Sequence, residues 1–341
     1  IYTLSLHDAL PISSLLPVTA GEVVDATHLG AAALDAFLAD QLRAARDEGL
    51  LLSLHLKATM MKVSDPVIFG HAVRAALPGV FSSYGDVLAA AGLRAEDGLA
   101  SILAGLDALE QGEEIRAAVA AELAAGPRLS MVDSDHGVTN LHAPNDVIID
   151  ASMPAMIRAG GRLWGPDGQQ ADTLAVIPDS SYAGVYAAVI EDCKEHGALD
   201  PATMGSVPNV GLMARRAEEY GSHDKTFVVP APGTVEVVVL HGAGARPGSV
   251  LLSSTVGAGD IWRACTTQDD AVRDWVRLAV SRARATGAPA VFWLDPARAH
   301  DAVIRTLAER YLADEDTTGL DIRFLDLTKR SEERRVGKEC R

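Results

Sequence analysis

Cysteine is scarce in this sequence: Cys193, Cys265 and Cys340 are the only three in 341 residues, and none stands at CxxC or other metal-ligand spacing. That excludes a disulfide framework and a thiolate zinc site, and it predicts a reduced, cytoplasmic setting. Aromatic residues make up only 5% of the chain, and no apolar run is long enough to span a bilayer, so no membrane partner is expected. Positive charge is in deficit. Thirty Lys and Arg face 46 Asp and Glu for a net charge of −16, which argues against a nucleic-acid surface but leaves small anionic substrates open. The sequence has no GxSxG elbow and no P-loop. HGAGARPG (241–248) runs into Pro247 between two expected antiparallel strands, and VGAGD (256–260) has no helix behind it. Neither is read as a dinucleotide fingerprint.

Both ends stand apart from the rest. The chain begins with Ile1 and reaches its first methionine at Met60. IYTLSLHDALPIS has no basic region of the secretory kind, and RSEERRVGKECR is a dense charge run joined abruptly to an apolar strand. Both resemble translated sequencing-adapter segments. Residues 1–13 and 330–341 are therefore expected to be foreign, with 14–329 the native part.

The full sequence is 48% apolar and rich in Ala, Val and Gly, as in a globular enzyme, and what remains between the ends is long enough to imply two lobes. Residues 30–48 place Leu34, Phe37, Leu38, Leu42 and Ala45 at helical spacing. LLSLHLKATMM (51–61) reads as a buried strand, followed by a helix with Asp65 as N-cap and Pro66 at its first position. The Ala-rich stretch 84–125 is broken by glycines into two or three short helices. LSMVD (129–133) and VIID (147–150) read as strands, and RLW and TLAVI flank a WGPDG turn. SYAGVYAAVIEDCKEHG (181–197) and PNVGLMARRAEEYG (208–221) read as helices. TFVVP, TVEVVVL and SVLLSS suggest an antiparallel patch, and residues 269–325 a helix–strand–helix–strand unit. The pattern predicts an α/β fold of mostly parallel, Rossmann-like sheets with helices on both faces and an antiparallel hairpin insertion.

Four groups of residues carry candidate chemistry. In VIIDASMPAMIR, three β-branched residues deliver Asp150 to a helix start, with Ser152 as N-cap and Pro154 opening the helix. A carboxylate at the end of a parallel strand lies where open α/β sheets bind ligands and can hold Mg²⁺ or Mn²⁺, but an Asp there also simply caps a helix. Lys57 sits inside an apolar strand, either snorkelling from an edge or held in a site, with Lys62 the competing lysine. A lysine amine becomes a useful base only when partly buried beside another cation. Tyr220 ends a helix and is followed by Ser222, His223, Asp224 and Lys225, a cluster that suits a general acid or merely a polar loop. The SDHGVTNLH run (Asp135, His136, Asn140, His142) lacks zinc spacing and reads as a ligand-facing loop or a satisfied connector, while in DPARAHD Arg298 and His300 suit an anion although a helix start already explains Asp295 and Pro296.

Longer strings narrow these alternatives. LHLKATMMKVSDP, SDHGVTNLHAPNDVIIDASMPAMIR, YAGVYAAVIEDCK, TMGSVPNVGLMARRAEEYGSHDKTF and AVFWLDPARAHDA, spread over nearly all of 14–329, closely resemble the monomeric class of NADP-dependent isocitrate dehydrogenase. The family's chain is more than twice as long, so the resemblance implies a fragment of its large domain, made of two Rossmann-like subdomains. It implies that Asp150 binds Mg²⁺ or Mn²⁺, and that Lys57 and Tyr220 are catalytic. The implied reaction is oxidation of isocitrate with NADP⁺ followed by loss of CO₂, in a cytoplasmic monomer of the tricarboxylic acid cycle and glyoxylate bypass. The cation would acidify the substrate hydroxyl and stabilise the enolate, Lys57 would assist removal of the hydroxyl proton, and Tyr220 would protonate the enolate carbon. Asp133 and His136 stand where the family pattern has Asn and Lys or Arg, and Ser180-Ser181 where it has Arg-Cys. The residues that would bind NADP, the remaining metal carboxylates and other isocitrate contacts are expected outside this chain, which is therefore expected to be inactive by itself. The competing readings are a non-catalytic binding or scaffold domain, and a metal-dependent hydrolase built on Asp150 and His223.

Overall fold

The computed structural model describes residues 2–7, 15–57, 61, 63–198, 225–240 and 246–326. In chain order, β1 (Tyr2–His7), β2 (Leu15–Leu16) and β3 (Val23–Leu29) precede α1 (Ala31–Glu48) and β4 (Leu51–Leu54). A helical stretch follows: α2 (Ser64–Ala76), α3 (Pro78–Ala90), α4 (Leu99–Gly105) and α5 (Gly112–Ala125). Then come β5 (Met131–Asp133), β6 (Val138–Thr139), α6 (Ile149–Arg158), β7 (Arg162–Trp164), β8 (Gln170–Val176) and α7 (Ser180–His196). The C-terminal part holds β9 (Phe227–Val228), β10 (Gly233–Val239), β11 (Val250–Val256), β12 (Ile261–Thr267), α8 (Asp269–Thr286), β13 (Ala290–Trp293), α9 (Ala299–Leu312) and β14 (Ile322–Leu325).

The fold is α/β, but the expectation of mostly parallel, Rossmann-like sheets is corrected. Among the described residues β4 pairs in parallel with β8, and β13 with β14. The other strand pairs are antiparallel: β1 with β10 and β2, β10 with β11, β12 with β3 and β9, β7 with β8, and β5 with β6. Only part of this is local: β10 and β11 are consecutive strands and pair antiparallel, while β1 with β10 and β12 with β3 and β9 pair across longer stretches of chain. β3 then joins the same region by lying antiparallel along all of β12, from Leu29 against Ile261 to Val23 against Thr267.

α1 buries Leu34, Leu38 and Ala45 and ends at Gly49, whose φ of +69° is open to glycine at little cost. Its first turn is capped from a distance. Asp260 accepts from the Ala31 N–H at 2.9 Å and from the Gly257 N–H at 2.7 Å. VGAGD therefore serves as a capping turn for α1. The largest apolar core joins α1 to α5 with β4 through Leu52, Leu54, Leu56, Ile68, Phe69, Leu77 and Ile102. A separate core around Val272, Phe292, Ile304 and Tyr311 holds α8, β13, α9 and β14 together, the unit expected from 269–325. Among the described residues no helix is long and apolar enough to cross a membrane.

Four local expectations change. The strand expected over 51–61 ends at Leu54, and the one expected over 147–150 contracts to a single parallel bridge between Leu56 and Ile148. α6 already starts at Ile149, so Pro154 lies inside the helix and Ser152 is its fourth residue, not its cap. Asp65 lies within the first turn of α2 and makes no cap hydrogen bond. Proline at the sixth position of α6 forfeits one intrahelical bond, the one an N–H there would have donated to the Asp150 carbonyl.

Candidate functional site

The bridge between Leu56 and Ile148 is what assembles the site. The Leu56 N–H donates to Val147 O at 2.8 Å and the Ile149 N–H to Leu56 O at 2.7 Å, so two chain segments run side by side for one residue pair before both turn away. Lys57 is the next residue on one segment and Asp150 the second on the other. Their side chains meet, with Lys57 Nζ 3.8 Å from Asp150 Oδ1. The lysine is 17% exposed and the carboxylate 55% exposed, so the pair forms a wall with one solvent-facing side. A carboxylate so placed at a helix start is open to a ligand, whereas a buried capping Asp would not be.

His55 secures α6 from below. It is fully buried, and its Nδ1 lies 2.7 Å from Ser152 Oγ, which donates to Ile148 O at 2.9 Å. With the hydroxyl proton on that carbonyl, the network assigns the ring proton to Nδ1. Burial lowers the imidazole to about 4, so the ring is neutral at physiological pH. This tie and the backbone bridge fix α6, and with it Asp150, against the end of β4.

Beneath Lys57 lies a buried polar cluster. Asp65 Oδ2 accepts from the Lys57 N–H at 2.8 Å, and Ser64 Oγ donates to Asp65 Oδ1 at 3.1 Å. Arg263, from β12, donates through Nη1 to Asp179 Oδ2 at 2.6 Å, with both side chains buried. Burial, and next the charge of Asp179, push the Asp65 carboxyl up to about 7. The Lys57 N–H, Ser64 and Arg263 oppose the rise. Asp179 is paired with the guanidinium, and Asp65, which is not, is the carboxyl that is pushed up.

The other candidates resolve as follows. Tyr220, Ser222, His223, Asp224 and Lys62 lie outside the described residues. In the SDHGVTNLH run, Asn140 is buried and donates to Ser53 Oγ at 3.1 Å, while His142 Nδ1 accepts from the Thr139 N–H at 2.9 Å. Asp133 accepts from the His136 and Asp135 N–H groups and pairs with the His136 ring at 2.7 Å. These residues form a connector held by its own hydrogen bonds, although the buried Asn140 Oδ1 has no partner among the described residues. In DPARAHD, Arg298 faces Asp301 at 3.1 Å and Asp25 at 3.8 Å, so its charge is already matched.

Sequence reasoning missed Asp179, Arg263 and His55, and misread Asp65 and Ser152 as caps. A signal existed for one of them: Asp179 closes TLAVIPD just past the parallel strand β8, the same pattern that singled out Asp150. Arg263 and His55 reach their partners 84 and 97 residues away, and no local pattern carries that.

Asp150 has the donor chemistry of a hard-cation ligand, but such ions take six or more oxygens. Among the described residues no group of three His, Cys, Asp or Glu side chains stands close enough to hold a metal. The residues in view thus offer one carboxylate and not a complete shell.

An α/β scaffold here sets a half-buried lysine against an open carboxylate at the end of a parallel strand pairing, the place where proteins of the α/β class bind their ligands. The particular family follows from direct comparison. The model of the family described as monomeric isocitrate dehydrogenase matches residues 8–337, and the chain belongs to that family. The chain is 62% identical over 310 residues to the isocitrate dehydrogenase (NADP) of Corynebacterium efficiens, covering 91% of this chain and 42% of that protein. The corresponding protein of Corynebacterium glutamicum is 61% identical over 310 residues, covering 91% and 41%, and that of Azotobacter vinelandii 55% identical over 310 residues, covering 90% and 41%. The chain thus spans about two fifths of the length of the curated relatives it matches.

Proposed function

We propose that the full-length protein carries out NADP-dependent oxidative decarboxylation of isocitrate to 2-oxoglutarate and CO₂, and that residues 14–329 belong to its large domain. The observation that carries this reading is the approach of Lys57 and Asp150, two side chains 93 positions apart in sequence and 3.8 Å apart in space, in a chain of this family. Asp150 contributes one carboxylate to a site for Mg²⁺ or Mn²⁺, completed by residues outside those described. NADP, when bound, would supply the hydride acceptor, and Lys57 Nζ, held at the same wall, would assist removal of the substrate hydroxyl proton. Tyr220 returns a proton to the carbon that loses CO₂, so one proton is taken and one given. The family relatives support NADP as cofactor through their names. The acidic balance supports a small-molecule partner over nucleic acid, the lack of paired cysteines supports a cytoplasmic setting, and family membership supports a monomer. Residues 341 in number and two fifths of a relative in length support the expectation that this chain alone is inactive.

The test is Lys57→Met in the full-length protein. A positioned proton-transfer group is worth about 10²–10⁴ in rate. Isocitrate-dependent NADPH formation should fall by about that factor, with unfolding little changed. Turnover within a few fold of the parent would remove Lys57 from the mechanism.

A further inference from the structure

We infer that Asp65 is a positioning residue for Lys57, acting as a buried acceptor that clamps the lysine's backbone N–H and so aims its amine at the wall shared with Asp150. The inference rests on the proposed role of Lys57 and adds a residue to it.

The clamp is visible as a closed set of hydrogen bonds. The Lys57 N–H donates to Asp65 Oδ2 at 2.8 Å. The Lys57 carbonyl accepts from the Met61 N–H at 3.1 Å, and the Met61 carbonyl from the Asp65 N–H at 3.0 Å. Just before it, Leu56 is tied through its N–H to Val147 and through its carbonyl to Ile149. Every backbone group from Leu56 N to Lys57 O is therefore engaged, and the lysine leaves the backbone from a fixed root. That matters because Nζ stands at the end of a flexible stem, where a small turn of the root is magnified at the tip, and a displacement of about 1 Å in a catalytic group can cost on the order of 10²-fold in rate.

The side chain is built for acceptance. Asp65 is fully buried in the first turn of α2, and its neighbours are Ser64 and the Asp179–Arg263 pair. Arg263 is committed to Asp179 at 2.6 Å, and the charge of Asp179 acts on Asp65 more strongly than that of Arg263. A neutral carboxyl suits that place, since its carbonyl oxygen still accepts from the Lys57 N–H while adding no second buried charge. The structure thus assigns Asp65 a task that an amide can perform and an apolar group cannot.

The experiment compares Asp65→Asn with Asp65→Leu in the full-length protein. Asn keeps the acceptor oxygen and the shape. Leu keeps the approximate volume and removes the acceptor. Three quantities are read: kcat and KM for isocitrate, the acylation rate of the Lys57 amine by competitive labelling with acetic anhydride, and the exchange rate of the Lys57 amide hydrogen. Asp65→Leu should lower kcat about 10–100-fold with a smaller change in KM, and alter Lys57 labelling several-fold. Asp65→Asn should keep kcat and labelling within about twofold of the parent. In the parent, the Lys57 amide should exchange slowly, a prediction that stands even if the Leu variant fails to fold. A folded Leu variant with parental kcat and labelling would overturn the inference, as would an unprotected Lys57 amide or an Asn variant as impaired as the Leu one. A parent that shows the protected amide and the labelling differences but no isocitrate-dependent NADPH formation would sink the dehydrogenase reading and leave the clamp standing.

Discussion

The ends of β4 and β13 use the same local device. Each strand pairs in parallel with a partner, runs into a short connection, and is followed by a helix whose first turn carries a buried aspartate. Asp65 reaches back eight residues to accept from the Lys57 N–H, and Asp301 reaches back six to accept from the Asp295 N–H at 3.0 Å. The two differ in what surrounds the acid. Burial pushes Asp301 up, but hydrogen bonding from His300, the charge of Arg298, the Asp295 N–H and the charge of His300 outweigh it and hold the carboxyl below its usual range. At Asp65 burial is joined by the charge of Asp179, and the carboxyl rises to about 7. A strand-end acid that its own turn has neutralised is structural. Where the nearby cations are already committed and an exposed carboxylate such as Asp150 stands free of its turn, the same geometry is a candidate site.

The comparison predicts opposite responses to pH. Unfolded, an aspartate titrates near 3.9. Between that value and about 7 folded Asp65 retains a proton that the unfolded chain has lost, so its contribution to stability is full below about pH 4 and disappears as pH rises toward 7. Asp301 behaves the other way: its contribution is present above the unfolded value and is lost as pH falls through its depressed folded value. From pH 5 to pH 7.5 the parent should lose roughly 2–3 kcal/mol relative to Asp65→Asn, because the amide does not titrate. Urea unfolding at the two pH values measures this, and parallel stability curves for the two proteins would break the contrast.

A smaller effect should separate the structural acid from the exposed one. Asp301→Ala leaves the Asp295 N–H, Arg298 and His300 without their shared acceptor and should cost about 1–3 kcal/mol. Asp150→Ala, at a side chain that is 55% exposed, should change stability by no more than about 0.5 kcal/mol. Equal losses in thermal or urea unfolding would mean that Asp150, too, is a scaffold residue.

Much of this was legible in the sequence where the information is local. Helical spacing located α1, the glycine-linked runs located the antiparallel strands β10 and β11, and the helix–strand–helix–strand unit at 269–325 appeared as expected. Strand direction was not legible, because alternation of helices and strands suggests a parallel sheet while the pairing of β3 with β12 is decided over 230 residues. In the site, Lys57 and Asp150 could be singled out one at a time, but their approach depends on a single backbone bridge. The buried floor was invisible for a related reason. Asp65 carries the residue type and position of a helix cap, and only the tertiary structure turns its carboxyl toward Lys57 instead.

Asp150 is the residue on which the account depends most, and cation dependence tests it most directly. In the full-length protein, isocitrate binding should be titrated against Mg²⁺ and Mn²⁺ for the parent and for Asp150→Asn. Carboxylate charge largely sets the affinity of a hard-cation site, so the Asn variant should need at least about tenfold more cation for the same isocitrate binding while unfolding as the parent does. An unchanged cation requirement in a well-folded Asp150→Asn protein would contradict the assignment of this wall as part of the active site.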